Sequence, residues 1–359
     1  MTGQPRLMLA PMAELSHRAL RELVESFVKR AGSAEGEAPS AESAVTGPEY
    51  FTEMISAPGL LAGGPLEKWY LDPGPRPERL VYQLLGADID QLAAAAALLD
   101  KTGCRGIDLN MGCAAPLITR TGAGVRWMED AGRAARLVEA VRRTTGKRLS
   151  VKLRLGAGKD FPAAADSQKA APFSRRSGDE ARSGELFSAL EDFCRRLVNA
   201  GAELVTLHPR MAGEKFRRRA RWEYVDRLRQ ALPVPVAGNG DIASAEEALA
   251  KAEAGPVMIG RLAARKPWIF AQALYGAAAS PETGCYRGMR FLEETALCFL
   301  DLLSRCQPPV FHLSRARRFF HYYCDNFTWA EYLRNKIRRE DSLAGIAGVL
   351  GAYCRENES

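Results

Sequence analysis

The sequence predicts an α/β fold, a (β/α)₈ TIM barrel followed by a small C-terminal helical bundle, and three observations lead to it. Short apolar runs typical of strands alternate with amphipathic helical stretches, which is the pattern of a parallel sheet. With two candidates near the N-terminus, the strands number eight, which suits a closed barrel. The first strand lacks a G-x-G-x-x-G turn, which disfavours the alternative, an open doubly wound sheet.

The barrel elements follow in chain order from these patterns. Six strands are predicted at 81–85, 106–110, 150–153, 204–207, 234–237 and 257–259. Helices between them are predicted at 92–101, 131–144, 186–200 and 245–254. Two segments rich in small and polar residues, 32–48 and 156–184, interrupt the pattern, and we expect insertions in surface loops there.

The strand pattern stops after Phe270, and 282–356 is helical in character with a break at Pro308-Pro309. One helical face carries aromatic residues at 319, 322, 323 and 327. We therefore predict two domains, a barrel of residues 1–275 and a helical domain of residues 281–359.

Composition limits the class of protein. The net charge of +7 and the pI of about 9.0 favour a polyanionic partner. There is no apolar run of about 20 residues and no signal-peptide pattern, so we expect a cytoplasmic protein that does not span a membrane. We also expect a monomer. The eight cysteines form no CxxC pair and the four histidines are scattered, so no metal site is predicted. Cys298 and Cys306 lie in an apolar helical pattern and are expected in the core.

Two basic clusters suggest contact with nucleic acid. Residues 209–229 hold eight Lys or Arg against three acids, and residues 312–339 hold seven against two, with aromatic residues interleaved. The two clusters could clamp a phosphate backbone, with Arg315, Arg317 and Arg318 in the second cluster as contacts. The alternative is that both are solvated charged faces.

The segment 107–113 reads as a short apolar strand that ends on a polar residue, a glycine and a cysteine. A strand end is where an α/β barrel places its chemistry, so Cys113 is the candidate reactive group, with Asn110 one short turn away. The alternative is that Cys113 is a small buried hydrophobe, as free cysteine often is.

Motifs at the other strand ends recur in a recognisable order. They are Leu9-Ala10-Pro11-Met12, Phe51-Thr52-Glu53-Met54, Tyr82-Gln83-Leu84-Leu85-Gly86, Val151-Lys152-Leu153-Arg154, Thr206-Leu207-His208-Pro209-Arg210, the segment 235–242 and the segment 257–261. Together with Asn110-Met111-Gly112-Cys113, this set resembles the tRNA-dihydrouridine synthases, flavin enzymes that reduce uridine in tRNA. The resemblance covers roughly residues 6–275 through these motifs and is weaker beyond.

The resemblance implies FMN and NADPH as cofactor and reductant, and tRNA as substrate. Flavin supplies the hydride that no side chain can, and a positioned acid must supply the proton. In the family the cysteine of this motif is that acid, which falls on Cys113. The family usually has proline directly after this cysteine and often a basic residue three or four positions on, whereas this chain has Ala114-Ala115-Pro116-Leu117.

The remaining site predictions concern the flavin and the substrate. Asn239, Gly240 and Asp241, with Gly260 and Arg261, follow the seventh and eighth strands, where barrels often bind phosphate; the alternative is that they only reverse the chain. Pro11, Met12 and Ala13 are expected beside the flavin ring, and the resemblance implies flavin contacts by Gln83 and His208. Lys152, at a strand end, is expected to put positive charge near the ring. Asn110, Arg154 and Arg210 are expected to contact the substrate.

The predicted function is therefore that of a tRNA-dihydrouridine synthase acting on a D-loop uridine. Two alternatives remain open at this point. A flavin barrel enzyme acting on a small pyrimidine would need neither the helical domain nor the basic clusters, and a non-catalytic RNA-binding protein would tolerate the altered segment after Cys113.

Overall fold

The computed structural model describes residues 6–34, 47–157, 179–214, 218–276 and 288–357. Most of the two predicted insertions, at 35–46 and 158–178, lies outside the described residues.

Eight parallel strands form a closed barrel in which each strand pairs with its neighbour in sequence, as predicted. They are β1 (Leu7–Leu9), β2 (Glu49–Ser56), β3 (Leu80–Leu85), β4 (Gly106–Met111), β5 (Arg148–Gly156), β6 (Leu204–Met211), β7 (Val236–Asn239) and β8 (Val257–Ile259). The barrel closes where β1 pairs with β8, with Leu7 opposite Val257. Strand β7 starts two residues later than predicted, because Pro233 and Pro235 cannot donate to a sheet.

Helices cover the outside of the barrel and continue beyond its last strand. They are α1 (Arg18–Ala34), α2 (Ala57–Ala62), α3 (Glu67–Tyr70), α4 (Ile89–Asp100), α5 (Pro116–Thr119), α6 (Ala131–Arg142), α7 (Asp179–Asn199), α8 (Glu223–Ala231), α9 (Ala245–Ala252), α10 (Arg261–Arg265), α11 (Ile269–Tyr275), α12 (Met289–Cys306), α13 (Pro309–Tyr323), α14 (Ala330–Arg339) and α15 (Leu343–Asn357).

Side-chain caps fix where several barrel helices begin. Asp88, Asp130 and Ser244 each accept a hydrogen bond from a backbone N–H of the first turn, of α4, α6 and α9 respectively. Such a cap stabilises a helix by roughly 1 kcal/mol. The Asp88 cap starts α4 three residues before the predicted 92–101, which places Ile89 at its first position.

The C-terminal helices share one core with the barrel. Trp268 meets Phe27 of α1 and Phe291 of α12 edge-on, with ring centroids 6.0 and 5.1 Å apart. Phe319 stacks on Phe299 at 3.7 Å, so α13 and α12 are also packed through aromatic rings. The predicted domain boundary falls mainly on residues outside the described ranges, and the division into 1–275 and 281–359 stays a prediction.

Two details of the helical region differ in outcome. Cys306 is buried, as predicted, but Cys298 is exposed, so that prediction was wrong. The buried face of α12 carries Thr295 and Phe299, and Cys298 lies a quarter-turn away from Phe299.

Within the described residues, no helix combines the length and apolar character that crossing a membrane requires.

Candidate active site

A cleft of about 1090 Å³ opens at the carboxyl end of the barrel strands. Its floor is built from the segment after β1 and from the ends of β4 to β8, and its far wall comes from α13 and the residues after it. Every predicted site residue except Gln83 and Arg210 lines this cleft: Pro11, Met12, Ala13, Asn110, Cys113, Lys152, Arg154, His208, Asn239, Gly240, Asp241, Gly260 and Arg261.

Cys113 follows β4 and is half-buried in the cleft, held through its backbone from two sides. The side-chain oxygen of Asn110 accepts hydrogen bonds from the N–H groups of Cys113 and Gly112, at 2.9 and 3.2 Å. The Cys113 carbonyl accepts from Val125 N–H at 2.9 Å. Gly124 must approach closely here, because a Cβ on it would lie 2.4 Å from that carbonyl oxygen. The cysteine is therefore presented by a fixed turn.

The displaced proline fits this turn. Pro116 occupies the first position of α5, where a backbone N–H would have no helical partner and the fixed φ of proline is already suitable. Ala115 before it is extended, as residues preceding proline prefer. The chain thus leaves the Cys113 turn through a short helix that begins at the proline.

Gln83 lies behind the cleft in a buried polar chain. Its side chain donates to Asp108 Oδ2 at 2.6 Å and accepts from Asn110 Nδ2 at 2.9 Å. Asp108 also accepts from Ser150 Oγ at 2.6 Å, and burial raises the pKa of its carboxyl to about 6. In this structure Gln83 supports Asn110, and through it the Cys113 turn; the predicted flavin contact stays a prediction.

Lys152 and Arg154 project from β5 beside Cys113. Burial, reinforced by the charge of Arg154, lowers the pKa of Lys152 to about 8. Arg154 Nε donates to the Gly112 carbonyl at 2.8 Å, which adds a third hold on the Cys113 turn. The two side chains give this part of the cleft a positive potential.

His208, in the second half of β6, is kept neutral. Burial and the charges of Lys152 and Arg154 lower its pKa to about 2. Arg210 Nη1 lies 2.9 Å from His208 Nε2, and a guanidinium can only donate, so Nε2 accepts and the ring proton resides on Nδ1.

Arg210 does not line the cleft. It is 1% exposed, forms an ion pair with Asp241 Oδ2 and donates from Nε to the Arg218 carbonyl at 2.6 Å. A buried guanidinium that is already paired is not available to RNA, so the predicted substrate contact is not carried further.

Much of the basic cluster 209–229 is likewise engaged within the protein. Arg229 donates to the Val236 and Pro256 carbonyls, Arg221 pairs with Glu214, and Arg227 lies over the ring of Phe187. Counting charges along the sequence therefore overstated the free positive charge of this segment.

The turns after β7 and β8 form a cradle for an anion. Gly240 has a φ of 128°, and a Cβ there would come within 3.0 Å of His208 Cδ2, so only glycine fits. Asp241 has a φ of 54° and holds Arg261, with Oδ1 to Nη2 at 3.4 Å. This cradle, the cations around it and the apolar side chain of Met12 are compatible with a phosphorylated planar cofactor such as FMN.

The far wall contains residues that the sequence analysis missed or assigned elsewhere. Arg318, His321 and Tyr322 of α13 line the cleft, and the His321 and Tyr322 rings meet edge-on at 4.8 Å. Tyr322 was expected on the apolar face, but it is only half-buried. Arg265 of α10 also lines this side. The alternation of basic and aromatic residues along α13 was the sequence feature that could have identified this wall.

Arg315 was predicted to contact RNA, and that prediction was wrong. It is 2% exposed and forms an ion pair with Glu53 of β2, Nη2 to Oε2 at 2.7 Å.

Across the parts of the chain that the structure describes, no cluster of three or more potential metal-binding side chains occurs.

A closed parallel barrel with a cysteine, a histidine and several cations around one cleft is the arrangement of an α/β-barrel enzyme, and the cleft is suited to an anionic cofactor. The model of the dihydrouridine synthase family matches residues 8–171 and 185–346, and the chain belongs to this family. Its members are flavin-dependent oxidoreductases that act on tRNA. The resemblance predicted from the strand-end motifs is confirmed.

Similar curated proteins carry matching names. A probable tRNA-dihydrouridine synthase 1 of Synechocystis sp. is 26% identical over 351 residues, which cover 96% of this chain and 84% of that protein. The tRNA-dihydrouridine synthase B of Xanthomonas campestris is 26% identical over 348 residues, 95% of this chain and 90% of that protein. A probable tRNA-dihydrouridine synthase of Rickettsia bellii is 32% identical over 193 residues, 53% of this chain and 51% of that protein.

Proposed function

We propose that this protein is a tRNA-dihydrouridine synthase that reduces the 5,6 double bond of a D-loop uridine, with FMN as cofactor and NADPH as reductant. The observation that carries the proposal is the position of Cys113, fixed by Asn110 at the floor of a cleft lined by cations. We expect the protein to act as a monomer in the cytoplasm, where tRNA is found.

The cofactor would lie along the barrel mouth. Gly240, Gly260 and Arg261 would hold its phosphate, Met12 would pack on its ring, and Lys152 would put positive charge near the ring. When bound there, FMN would supply the hydride that carbon 6 of the uracil requires.

The protein itself contributes a proton to the reaction and holds the proton donor in a fixed position. Cys113 donates the proton to carbon 5. The Cys113 N–H donates to Asn110 Oδ1 and Arg154 Nε donates to the Gly112 carbonyl, so the backbone that carries the thiol stays in place during the transfer. The neutral His208 provides an uncharged hydrogen-bonding group for the substrate or flavin. The target uridine must leave its stack to reach this floor.

The wall opposite the floor favours a polymer as substrate. Arg318, His321 and Tyr322 offer a charge and two rings for the nucleotides next to the target uridine. A small-pyrimidine reductase would have no use for these side chains.

The test uses the purified protein, unmodified tRNA transcript and NADPH. We expect a flavin absorption spectrum and dihydrouridine at one D-loop position, and the same position should lose and regain the modification in cells that lack and regain the protein. Reduction of free uridine as fast as tRNA would favour the small-pyrimidine alternative. Binding of tRNA without flavin or reduction would favour the non-catalytic one.

A further inference from the structure

Trp222, directly before α8, lies against the end of β7 and the turn that follows it. A Cβ on Gly238 would come within 2.2 Å of Trp222 Cζ3 and 2.5 Å of Cη2, so the indole fills the place of a side chain at that position. The indole Nε1–H donates to the Gly240 carbonyl at 2.9 Å. One side chain therefore fixes both ends of the segment 238–240.

The turn that Trp222 holds has a backbone that needs support. Gly240 and Asp241 both have positive φ, 128° and 54°, and such a conformation is costly for a residue with a side chain. The N–H of Ala220 donates to Asp241 Oδ2 at 2.8 Å, and Arg210 pairs with the same oxygen. The segment that leads into Trp222 thus braces the turn along its outer side.

The indole itself is held from another direction. The Lys251 ammonium of α9 lies 4.2 Å from the centre of the Trp222 ring, within the range of a cation–π contact. Trp222 is half-buried and is not among the residues that line the cleft, whereas Gly240 and Asp241 are. Its effect on a bound molecule must therefore pass through the turn.

We propose that Trp222 is a positioning residue that holds the segment 238–241, the end of β7 and the turn after it, in the shape that receives the phosphate of the cofactor. This inference rests on the proposed function, because it takes FMN as the ligand. It concerns the phosphate end alone, so the binding of a flavin without phosphate should be insensitive to Trp222.

The experiment compares FMN with riboflavin, which lacks the phosphate, by titrating apoprotein and following flavin fluorescence. Trp222→Phe keeps an aromatic ring but removes the N–H donor. The lost hydrogen bond is typically worth about 0.5–1.5 kcal/mol, so FMN should bind roughly threefold to tenfold more weakly. The affinity for riboflavin should change less than about twofold.

Trp127 offers a matched control. Its indole N–H also donates to a glycine carbonyl at 2.9 Å, that of Gly86, and its ring also carries a cation, Arg133 at 4.0 Å. Its indole bonds to the residue after β3 and does not line the cleft, so Trp127→Phe should leave the FMN affinity unchanged while losing the same kind of bond.

Gly238→Ala approaches the same contact from the other side, because its methyl group must displace the indole. It should also weaken FMN selectively, and the double variant should lose little more than the weaker-binding single variant. The inference is overturned if Trp222→Phe binds FMN like the parent, or weakens riboflavin as much as FMN. A parent protein that binds no flavin would overturn the proposed function as well, and the two failures are thereby distinguished.

Discussion

Glu53 of β2 and Arg315 of α13 form a buried ion pair across 262 residues of sequence, with Oε2 and Nη2 2.7 Å apart. The side chains are 7% and 2% exposed. Glu53 also accepts from the N–H of Glu14 at 2.6 Å, and the next residue, Met54, lines the cleft. The pair therefore ties the barrel to the helix that carries the far wall of the cleft.

Arg315→Met should destabilise the protein strongly, because it leaves the Glu53 carboxylate buried without its partner. The expected loss in the free energy of unfolding is about 3–5 kcal/mol, measured by urea denaturation. Adding Glu53→Gln should recover much of it. The exposed pair of Arg305 and Asp301 is the control, since Arg305→Met should cost less than about 1 kcal/mol. Equal losses in the two single variants would contradict the structural role of the buried pair.

Asp108 should make stability fall with rising pH. Burial raises its pKa from 3.8 to about 6, so the folded state binds this proton more tightly than the unfolded state does. The resulting stabilisation is present below pH 4 and is lost as the pH rises through 6. The stability of Asp108→Asn relative to the parent should therefore increase between pH 4 and 7, by at most about 3 kcal/mol.

Chemical denaturation across this pH range measures both the sign and the size of the change in relative stability. Asp100 is a useful contrast, because hydrogen bonds from Thr145 and Gly146 lower the pKa of its carboxyl. Asp100→Asn should therefore lose stability relative to the parent as the pH rises through the acid range. If the stabilities of the two variants relative to the parent changed with pH in the same direction, burial would not be what sets the pKa of Asp108.

Cys113→Ala should separate the two half-reactions. Oxidation of NADPH by the flavin does not use the thiol, whereas completing the reduction of uracil requires its proton, so only tRNA reduction should fall. General acid catalysis is typically worth about 10²–10⁴-fold, which sets the expected loss in single-turnover rate. Cys113→Ser should keep a trace of activity, and Cys298→Ala, at an exposed position on α12, should behave like the parent. Parental tRNA reduction by Cys113→Ala would assign the proton to another group.

Binding of tRNA should weaken steeply with added salt, because phosphate contacts release counterions. Arg317 and Arg318 are exposed on α13, and Arg318 lines the cleft. Reversing both to Glu should weaken binding and flatten the slope of log K against log salt by roughly one unit per lost contact. Reversing Arg290 and Arg305 on α12 changes the net charge equally but should leave the slope nearly intact. If both reversed variants showed the same salt slope, Arg317 and Arg318 would act only through the net charge of the protein and not through contacts with tRNA phosphates.

The sequence was most informative about positions along strands. Strand 257–259 was predicted with its observed bounds, and Cys113 follows β4 as expected, because an apolar run followed by polar residues and glycine marks a strand end whatever the rest of the chain does. A strand end in a parallel barrel in turn fixes the face on which a side chain lies. This is why most predicted site residues meet in one cleft.

Sequence reasoning failed where the partner of a side chain lies far along the chain. Arg315 belongs to a basic run, and nothing local reveals that Glu53 neutralises it in the interior. Arg210 was expected to contact substrate for the same reason, although its guanidinium is buried and paired with Asp241. The bond between Gln83 and the buried Asp108 was likewise not foreseen. Trp222 went unnoticed within the basic cluster, because its importance depends on the absence of a Cβ at Gly238.

The pairing of Leu7 with Val257 has a consequence for how the chain must be made. Strand β1 leaves the ribosome first but can find its second neighbour only about 250 residues later, which at roughly 5–20 residues per second is about 10–50 s of synthesis. During that time its unpaired edge is open to the wrong partners. Folding of the nascent barrel should therefore depend on chaperones, and slowing translation before β8 should lengthen that dependence rather than relieve it.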